Sequence, residues 1–185
     1  MKQRYLIAML PPKGLSIAID QIRRECSQTF QIYKALRPPV HLTLRFIGSL
    51  EESYEAQLIS SLNGARNFKP FIQELENFSG FQNARAVYIA GTKNKQIDRL
   101  YQQIKVLTKS YGKDLHDSLT PHLTIAYRDV NEAKYQEILD YYQSKTFHAM
   151  FEVNHFSLLK HDGSTWNVLR HYYCQSGPEQ LEIPL

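Results

Sequence analysis

The sequence has little cysteine and no clustered metal ligands. Its 185 residues include only two cysteines, Cys26 and Cys174, which lie far apart without a C-x-x-C or a zinc-finger spacing. This pattern excludes a disulfide-rich scaffold and the common zinc modules. We predict two reduced, partly buried thiols in a cytoplasmic protein.

Long apolar runs are also missing. The first apolar stretch ends at Pro11-Pro12, which makes it too short for the core of a signal peptide. No later segment approaches the length of a transmembrane helix. We therefore expect no membrane partner and a cytoplasmic location. A monomer is also expected.

Basic residues are in excess but are not clustered. Lysine and arginine total 22 against 18 acidic residues, giving a formal net charge of +4, and no basic run exceeds Arg23-Arg24. This distribution favours recognition of a local phosphate and not tracking along a duplex. Because a glycine-rich nucleotide signature is missing too, we expect no cofactor.

Strand and helix patterns alternate along the chain. The same order, strand–helix–strand–helix, occurs in each half and indicates an ancient duplication. No linker divides the halves, so we predict one bilobal domain over residues 1–176 and a tail over 177–185. Strands are predicted at 5–10, 40–48, 71–81, 86–90, 119–127, 147–160 and 165–174, and helices at 17–30, 51–62, 94–111 and 131–143, with a final hairpin around Asp162-Gly163.

The sequence His-Leu-Thr occurs twice, beginning at His41 and at His122. Side chains alternate between the faces of a strand, so His41 and Thr43 point one way, as do His122 and Thr124, while the intervening leucine points the other way. If the two strands lie side by side in a cleft, two imidazoles and two hydroxyls converge. One such motif is usually a surface or core histidine, but two copies, each after a proline-marked entry, indicate a functional site.

Such a group of side chains suits phosphate chemistry. Cleavage of a phosphoester needs one group to accept a proton and another to donate one, and histidine does either near neutral pH. The hydroxyls of Thr43 and Thr124 donate to the nonbridging oxygens, where charge builds up in the transition state. The motifs hold no carboxylate for Mg²⁺, and two histidines alone make a poor zinc site, so no metal is expected.

Several other side chains are candidates beside this pair. Arg45 is predicted on the same strand face as His41, where it binds phosphate or forms a salt bridge in the cleft wall. Trp166 is predicted to pack the final hairpin, with stacking on a base as the alternative. The remaining histidines are predicted to be surface or packing residues: His116, His148, His155, His161 and His171.

At these residues the sequence resembles the two-histidine phosphoesterase superfamily, and within it the RNA 2′,3′-cyclic phosphodiesterases, also called 2′-5′ RNA ligases. The stretch His-Leu-Thr-Leu-Arg-Phe-Ile-Gly at 41–48 is similar to the first family motif, and Thr-Pro-His-Leu-Thr-Ile-Ala at 120–126 to the second. The resemblance covers nearly the whole chain. It implies an α+β fold in which two related antiparallel-sheet lobes with outer helices surround a central cleft.

The resemblance also implies a reaction. A 2′,3′-cyclic phosphate opens to a 2′-phosphate when His122 activates water and His41 protonates O3′, while Thr43 and Thr124 hold the phosphate. Ring opening and its reversal exchange the acid and base roles. An RNA 5′-hydroxyl in place of water gives a 2′-5′ linkage. The expected partners are therefore RNA ends or a cyclic nucleotide.

Two positions depart from the family pattern. Where the family often has an arginine, five residues after the second histidine, this chain has Tyr127, followed by Arg128. Arg128 reaches the phosphate if a bulge or the strand end turns it into the cleft; otherwise Arg45 or a lysine supplies the charge. The residues at 37–40, Arg-Pro-Pro-Val, replace a tryptophan. Another cyclic or 2′-5′-linked nucleotide, or a noncatalytic role in binding RNA ends, stays open.

Overall fold

Eight strands and four α-helices form the part of the protein that this computed structural model describes, which is residues 1–112 and 118–175. The helices are α1 (Lys13–Phe30), α2 (Glu55–Ser61), α3 (Lys95–Leu107) and α4 (Glu132–Gln143). The strands are β1 (Lys2–Met9), β2 (Leu42–Glu51), β3 (Phe71–Phe81), β4 (Ala86–Gly91), β5 (His122–Ala126), β6 (His148–Val153), β7 (His155–His161) and β8 (Trp166–Tyr173).

All eight strands belong to one antiparallel sheet, in the order β6-β3-β4-β5-β2-β1-β7-β8. The order divides the sheet into two halves, β1, β2, β7 and β8 in the first and β3, β4, β5 and β6 in the second. The halves meet where β2 lies antiparallel to β5, with Leu42 opposite Leu123. The expected α+β fold with two related antiparallel lobes is confirmed.

The two halves repeat the same chain order. The first contains β1, α1, β2 and α2, and the second contains β4, α3, β5 and α4. In each half the strand that carries His-Leu-Thr, β2 or β5, lies at the junction and pairs on its other side with β1 or β4. The repeat seen in the sequence therefore corresponds to a repeat in three dimensions.

The main hydrophobic core covers one face of the sheet. Leu42 and Leu44 of β2, and Leu123 and Ile125 of β5, are all almost fully buried there. Burying a side chain of this size stabilises the fold by roughly 1.5–3 kcal/mol. The same cluster includes residues of all four helices: Ile19 of α1, Leu58 of α2, Ile97 of α3 and Ile138 of α4 are examples.

The opposite face, which we call the cleft face, has a much smaller apolar cluster. It consists of Leu6, Ala8 and Leu159, with Trp166 packed against them. Residues directly opposite each other in an antiparallel pair point to the same face. Because Ala8 pairs with Thr43, the His-x-Thr side chains lie on the cleft face.

Residues 147–160, predicted as one strand, form two strands in different halves. β6 pairs with β3, whereas β7 pairs with β1 and β8, and the break is at Asn154. Before the break the buried residues are Phe151 and Val153, and after it they begin at Phe156, so the alternation changes phase. A single regular strand cannot keep both sets on one face. The prediction of one strand is therefore wrong.

The predicted hairpin between β7 and β8 is confirmed. The Asp162 carboxylate accepts hydrogen bonds from the backbone amides of Ser164 and Thr165, both at 2.8 Å. Gly163 has a φ of 105°, in the region that favours glycine. The turn is thus set by its local sequence.

Of the four predicted helix starts two are confirmed and two are wrong, one of them because α1 begins at Lys13 and not at residue 17. The side chain of Asn94 accepts from the amide of Ile97 at 2.8 Å, and that of Asn131 accepts from the amide of Lys134 at 2.9 Å, so both residues cap their helices. The sequence also predicts Ser49 as the cap of the helix at 51–62. Ser49 lies inside β2, and α2 begins only after a 3-10 turn over Glu52–Tyr54.

Three further features bear on the sequence predictions. Cys26 is buried, Cys174 is partly buried, and both thiols are free. Within residues 1–112 and 118–175, no helix is both long and apolar enough to cross a membrane. The tail predicted at 177–185 lies outside the described residues.

Candidate active site

The four predicted site residues surround the junction of the two halves. Leu42 and Leu123, the middle residues of the two motifs, pair in an antiparallel register. His41 therefore lies beside Thr124, and Thr43 lies beside His122. In such a ladder, Cα atoms directly opposite are about 5 Å apart and those on a diagonal about 7–8 Å apart. The histidines occupy a diagonal, and all four side chains are partly buried. The structure therefore brings two imidazoles and two hydroxyls together on one face.

Both imidazoles are held by the same kind of hydrogen bond. Nδ1 of His41 donates to the carbonyl of Pro39 at 2.7 Å, and Nδ1 of His122 donates to the carbonyl of Thr120 at 2.7 Å. A carbonyl only accepts, so each ring carries its proton on Nδ1. Nε2 of each ring is then left to exchange a proton with a ligand.

Burial lowers the pKa of both histidines. For His41 it brings the pKa to about 4; the hydrogen bond to Pro39 opposes the change, and the charges of Arg23 and His122 add to it. Burial also lowers the pKa of His122, against the effect of the bond to Thr120. Both rings are neutral at pH 7 in the free protein. A bound anion would raise both pKa values and allow one ring to hold a proton.

Aromatic side chains form the wall beside His122. Its ring lies 5.0 Å from Phe81 and 5.1 Å from Tyr88, measured between centroids. Tyr88 is on the cleft face because it pairs with Thr124. Sequence reasoning missed these two residues, since their contact with His122 follows from the order β3-β4-β5 in the sheet, which no local pattern reveals.

Strand β2 bulges directly after its threonine. Thr43 pairs with Ala8 and Arg45 pairs with Ile7, so Leu44 is an extra residue between two consecutive pairs. Ile7 belongs to the main core. Arg45 therefore points to the core face and not to the face of Thr43.

Arg45 is bound to the end of α3 on that core face. Its guanidinium donates to the carbonyls of Gly112 at 3.1 Å and Thr108 at 3.5 Å, and the side chain is buried. The prediction that Arg45 shares a face with His41 is wrong because the bulge reverses the alternation. We therefore do not assign phosphate binding to Arg45.

Strand β5 has the equivalent bulge. Tyr88 pairs with Thr124 and Val87 pairs with Ala126, which leaves Ile125 as the extra residue. Both His-x-Thr strands thus bulge at the residue after threonine. Matching irregularities of this kind strengthen the evidence for an internal duplication.

Arg128 lies two residues beyond the end of β5 with a φ of 76°. Its guanidinium carbon is 5.3 Å from the centroid of the Tyr127 ring. Burial lowers the pKa of His161; the charge of Arg4 adds to this, that of Asp162 opposes it, and that of Arg128 makes a smaller addition. His161 alternates with Leu159 on the cleft face, so the charge of Arg128 acts on the cleft side. Contact with phosphate stays a prediction.

Most other histidines occupy surface or packing positions. His148 is exposed on β6, and His161 lies 2.8 Å from an Arg4 nitrogen. His155 and His171 lie next to each other on the cleft face of β7 and β8, with 5.0 Å between ring centroids. His116 lies outside the described residues.

Trp166 packs on the hairpin, as predicted. Its ring is 5.0 Å from His161 and 6.2 Å from Phe46, measured between centroids. It also packs against the small apolar cluster of the cleft face.

A buried arginine holds the loop in front of His41. The Arg23 guanidinium donates to the carbonyl of Ala35 and, at 2.9 Å, to that of Pro38, and it lies 3.4 Å from Asp20. These bonds tie α1 to the segment whose next residue orients the His41 ring. No sequence signal indicates this role, since Arg23-Arg24 has the pattern of a solvated pair.

Basic side chains line a cavity between α1 and this loop. The cavity has a volume of about 550 Å³ and is lined by Lys13, Arg23, Arg24 and Arg37, with Asp20 as its acidic residue. Pro39 and Val40, the two residues before His41, also line this cavity, whereas His41 itself does not. Over the described residues, no group of three or more His, Cys, Asp or Glu side chains is arranged to hold a metal ion.

A profile of the 2′-5′ RNA ligase superfamily matches residues 11–165. The chain belongs to this superfamily, and its resemblance to the two-histidine phosphoesterases is thereby confirmed. No curated protein sequence matches it.

Solved structures show the same fold. Escherichia coli LigT complexed with 3′-AMP is 20% identical, with 94% of this chain and 98% of that chain covered and a TM-score of 0.63. TT0787 of Thermus thermophilus is 18% identical, with 92% and 97% covered and a TM-score of 0.68. E. coli LigT complexed with phosphate is 17% identical, with 94% and 98% covered and a TM-score of 0.58. At these identities the likeness concerns the fold.

Proposed function

We propose that this protein is a metal-independent phosphodiesterase that opens the 2′,3′-cyclic phosphate at an RNA end and leaves a 2′-phosphate. The observation that carries the proposal is the pair of imidazoles at the junction of the halves, each held at Nδ1 by a carbonyl and free at Nε2. An acid and a base positioned in this way contribute on the order of 10²–10⁴ each to the rate.

The mechanism uses the two rings in turn. His122 takes a proton from water, the water oxygen bonds to phosphorus, the bond from phosphorus to O3′ breaks, and His41 gives O3′ the Nε2 proton that it took up when the anionic substrate bound. Thr43 and Thr124 donate hydrogen bonds to the nonbridging oxygens as charge develops. An RNA 5′-hydroxyl in place of water produces a 2′-5′ linkage, and the reverse reaction exchanges the roles of the histidines.

Two further observations support a phosphate ester as substrate. The E. coli LigT structures hold 3′-AMP in one case and phosphate in another. In this chain the cavity beside His41 is lined by four basic side chains. The site residues around the junction are imidazoles and hydroxyls without a carboxylate, a donor set that suits proton transfer better than binding of Mg²⁺.

Hydrolysis of cyclic substrates in EDTA tests the proposal. The purified protein should convert a 2′,3′-cyclic mononucleotide and a cyclic-ended oligoribonucleotide to the 2′-phosphate. His41→Ala and His122→Ala should each lower kcat by about 10²–10⁴, while His148→Ala, a change at an exposed histidine on β6, should not.

Each alternative has its own outcome. Loss of turnover in EDTA, or normal rates in either active-site variant, contradicts the mechanism. Salt-sensitive binding of a cyclic-ended oligonucleotide without product indicates a binding module for RNA ends. Faster turnover of ADP-ribose cyclic phosphate or of a 2′-5′-linked oligonucleotide identifies another phosphodiesterase.

A further inference from the structure

A second group of rings lies on the cleft face, on β7 and β8. The ring of His155 is 5.0 Å from that of His171 and 5.0 Å from that of Tyr173. Hydrogen bonds orient both imidazoles, because Nδ1 of His155 is 2.7 Å from the Asn154 side-chain oxygen and Nδ1 of His171 is 2.9 Å from Oγ of Ser157. Tyr173 is 54% exposed. Both imidazoles are thus held by hydrogen bonds, and His171 and Tyr173 are exposed to solvent while His155 is partly exposed.

The sheet register gives the distance from these rings to the proposed active site. Thr43 pairs with Ala8, Ala8 with Ser157, and Ser157 with His171, so the four residues form one row across four strands. Neighbouring strands are about 4.8 Å apart. His171 therefore lies about 14 Å from Thr43 along the same face.

The other two rings lie in the row of His41. His41 precedes Thr43 by two residues and His155 precedes Ser157 by two, in strands that run in the same direction because both are antiparallel to β1. Tyr173 continues that row, since it pairs with His155. In the proposed reaction His122 faces the attacking water and His41 faces O3′ of the terminal ribose, so these rings are on the side of that ribose and of the chain that precedes it.

We propose that His155, His171 and Tyr173 form a second binding site, which holds the nucleotide preceding the cyclic end of a single-stranded RNA. This inference rests on the proposed function. Aromatic rings stack on any base, and imidazole nitrogens donate to phosphodiester oxygens. The fully buried Ser157 orients the His171 ring. A cyclic mononucleotide has no preceding nucleotide and leaves the second site empty.

Substrate length tests this site. We compare kcat/KM for a 2′,3′-cyclic mononucleotide with that for a trinucleotide of the same cyclic end. The wild type should prefer the trinucleotide through a lower KM. Tyr173→Leu should raise the KM for the trinucleotide at least about fivefold, the lower end of what stacking of one base contributes, and leave the mononucleotide unaffected. Tyr173→Phe keeps the ring and should behave as the wild type.

Two controls make the result specific. Tyr54→Leu removes a tyrosine that is 50% exposed beside α2, and it should change neither substrate. His155→Ala should reproduce the effect of Tyr173→Leu if the rings act together. Equal KM values for both substrates in the wild type, or equal losses on both in Tyr173→Leu, overturn the second site while the proposed function stands. No turnover of either substrate by the wild type overturns both.

Discussion

The two imidazoles at the junction are held alike but have different surroundings. The positive charge of Arg23 lowers the pKa of His41 beyond the effect of burial. His122 instead lies beside the rings of Phe81 and Tyr88. Because His41 is near a charge and His122 is near aromatic rings, the two imidazoles differ in how readily they hold a proton. Unequal rings suit a reaction in which one imidazole gives a proton while the other takes one.

Replacing Arg23 should change both the rate and its pH dependence. Arg23→Gln removes a charge that lowers the pKa of His41, so the limb of the pH–rate profile that belongs to His41 should move to higher pH. Loss of the bonds to the loop before His41 should also lower kcat by roughly ten- to a hundredfold, since the ring is less well placed. The measurement is kcat as a function of pH on a cyclic mononucleotide.

The neighbouring arginine is the matched control for this change. Arg24 is exposed and pairs with the same Asp20. Arg24→Gln should keep the wild-type profile. If both variants lower kcat but leave the profile unmoved, Arg23 is only structural.

His41 should also make the fold sensitive to acid. Its pKa is about 4 in the folded protein, below the usual 6.5, so the unfolded chain binds the proton first as the pH falls. The free energy of unfolding should therefore decrease between about pH 6.5 and 4, by at most about 1.4 kcal/mol per pH unit for this group. Below about pH 4 this contribution changes no further.

Urea denaturation at several pH values measures this effect. His41→Gln should lose less stability than the wild type between about pH 7 and pH 4. His148→Gln, at an exposed position on β6, should keep the wild-type dependence. If the free energy of unfolding falls with pH equally in the wild type and in His41→Gln, His41 does not titrate as described.

At the level of secondary structure, the bulges in β2 and β5 decide which side chains reach the site. Each bulge adds one residue after the threonine. The histidine and threonine therefore point to the cleft face, whereas Arg45 in β2 and Ala126 in β5 point to the core. A bulge leaves no trace in a pattern of period two. This is why the sequence predicted His41 and Thr43 correctly on one face and placed Arg45 wrongly.

Replacing Arg45 should therefore destabilise the fold without weakening substrate binding. Arg45→Met leaves the carbonyls of Thr108 and Gly112 without this donor, and a buried group that loses its partner costs about 1–3 kcal/mol. Urea denaturation should show the loss, while KM for a cyclic nucleotide should stay within about twofold of the wild type because the two sites share no partners. A large rise in KM with unchanged stability would restore Arg45 to the phosphate site.

Local signals predicted most of the other elements. Strand β3 has the predicted bounds, and the helices predicted to start at Asn94 and Asn131 begin there, each capped by that asparagine. The failure at 147–160 has a physical cause, because both β6 and β7 have strand character and only the phase of the buried residues changes at Asn154. That change was visible in the sequence, although its meaning depends on pairing with two distant strands.

At the scale of the whole molecule, the sequence predicted the internal duplication but not the path by which the chain returns from the second half to the first. Strands β7 and β8 return to the first half after the second half is complete, so the first half joins residues from both ends of the described chain. No local pattern encodes this order. The rings of Phe81 and Tyr88 beside His122 were unpredictable for the same reason, since they come from β3 and β4, which the sheet order places on one side of β5.

The junction of the halves should couple stability to activity. Leu42 and Leu123 pair across it and are almost fully buried beneath the histidines. Leu42→Ala and Leu123→Ala should each cost about 2–5 kcal/mol, and the double variant should depart from additivity by about 0.5–3 kcal/mol because the side chains are neighbours.

Urea transitions followed by circular dichroism and by hydrolysis of a cyclic nucleotide measure this coupling. The two transitions should coincide in every variant, since each half supplies one of the two histidines and neither half forms the site alone. Leu169→Ala, at a partly exposed position on β8, is the matched control and should cost no more than about 0.5 kcal/mol. Activity that disappears well before the circular dichroism signal would mean that the halves separate while each stays folded, and the sheet would then not act as one cooperative unit.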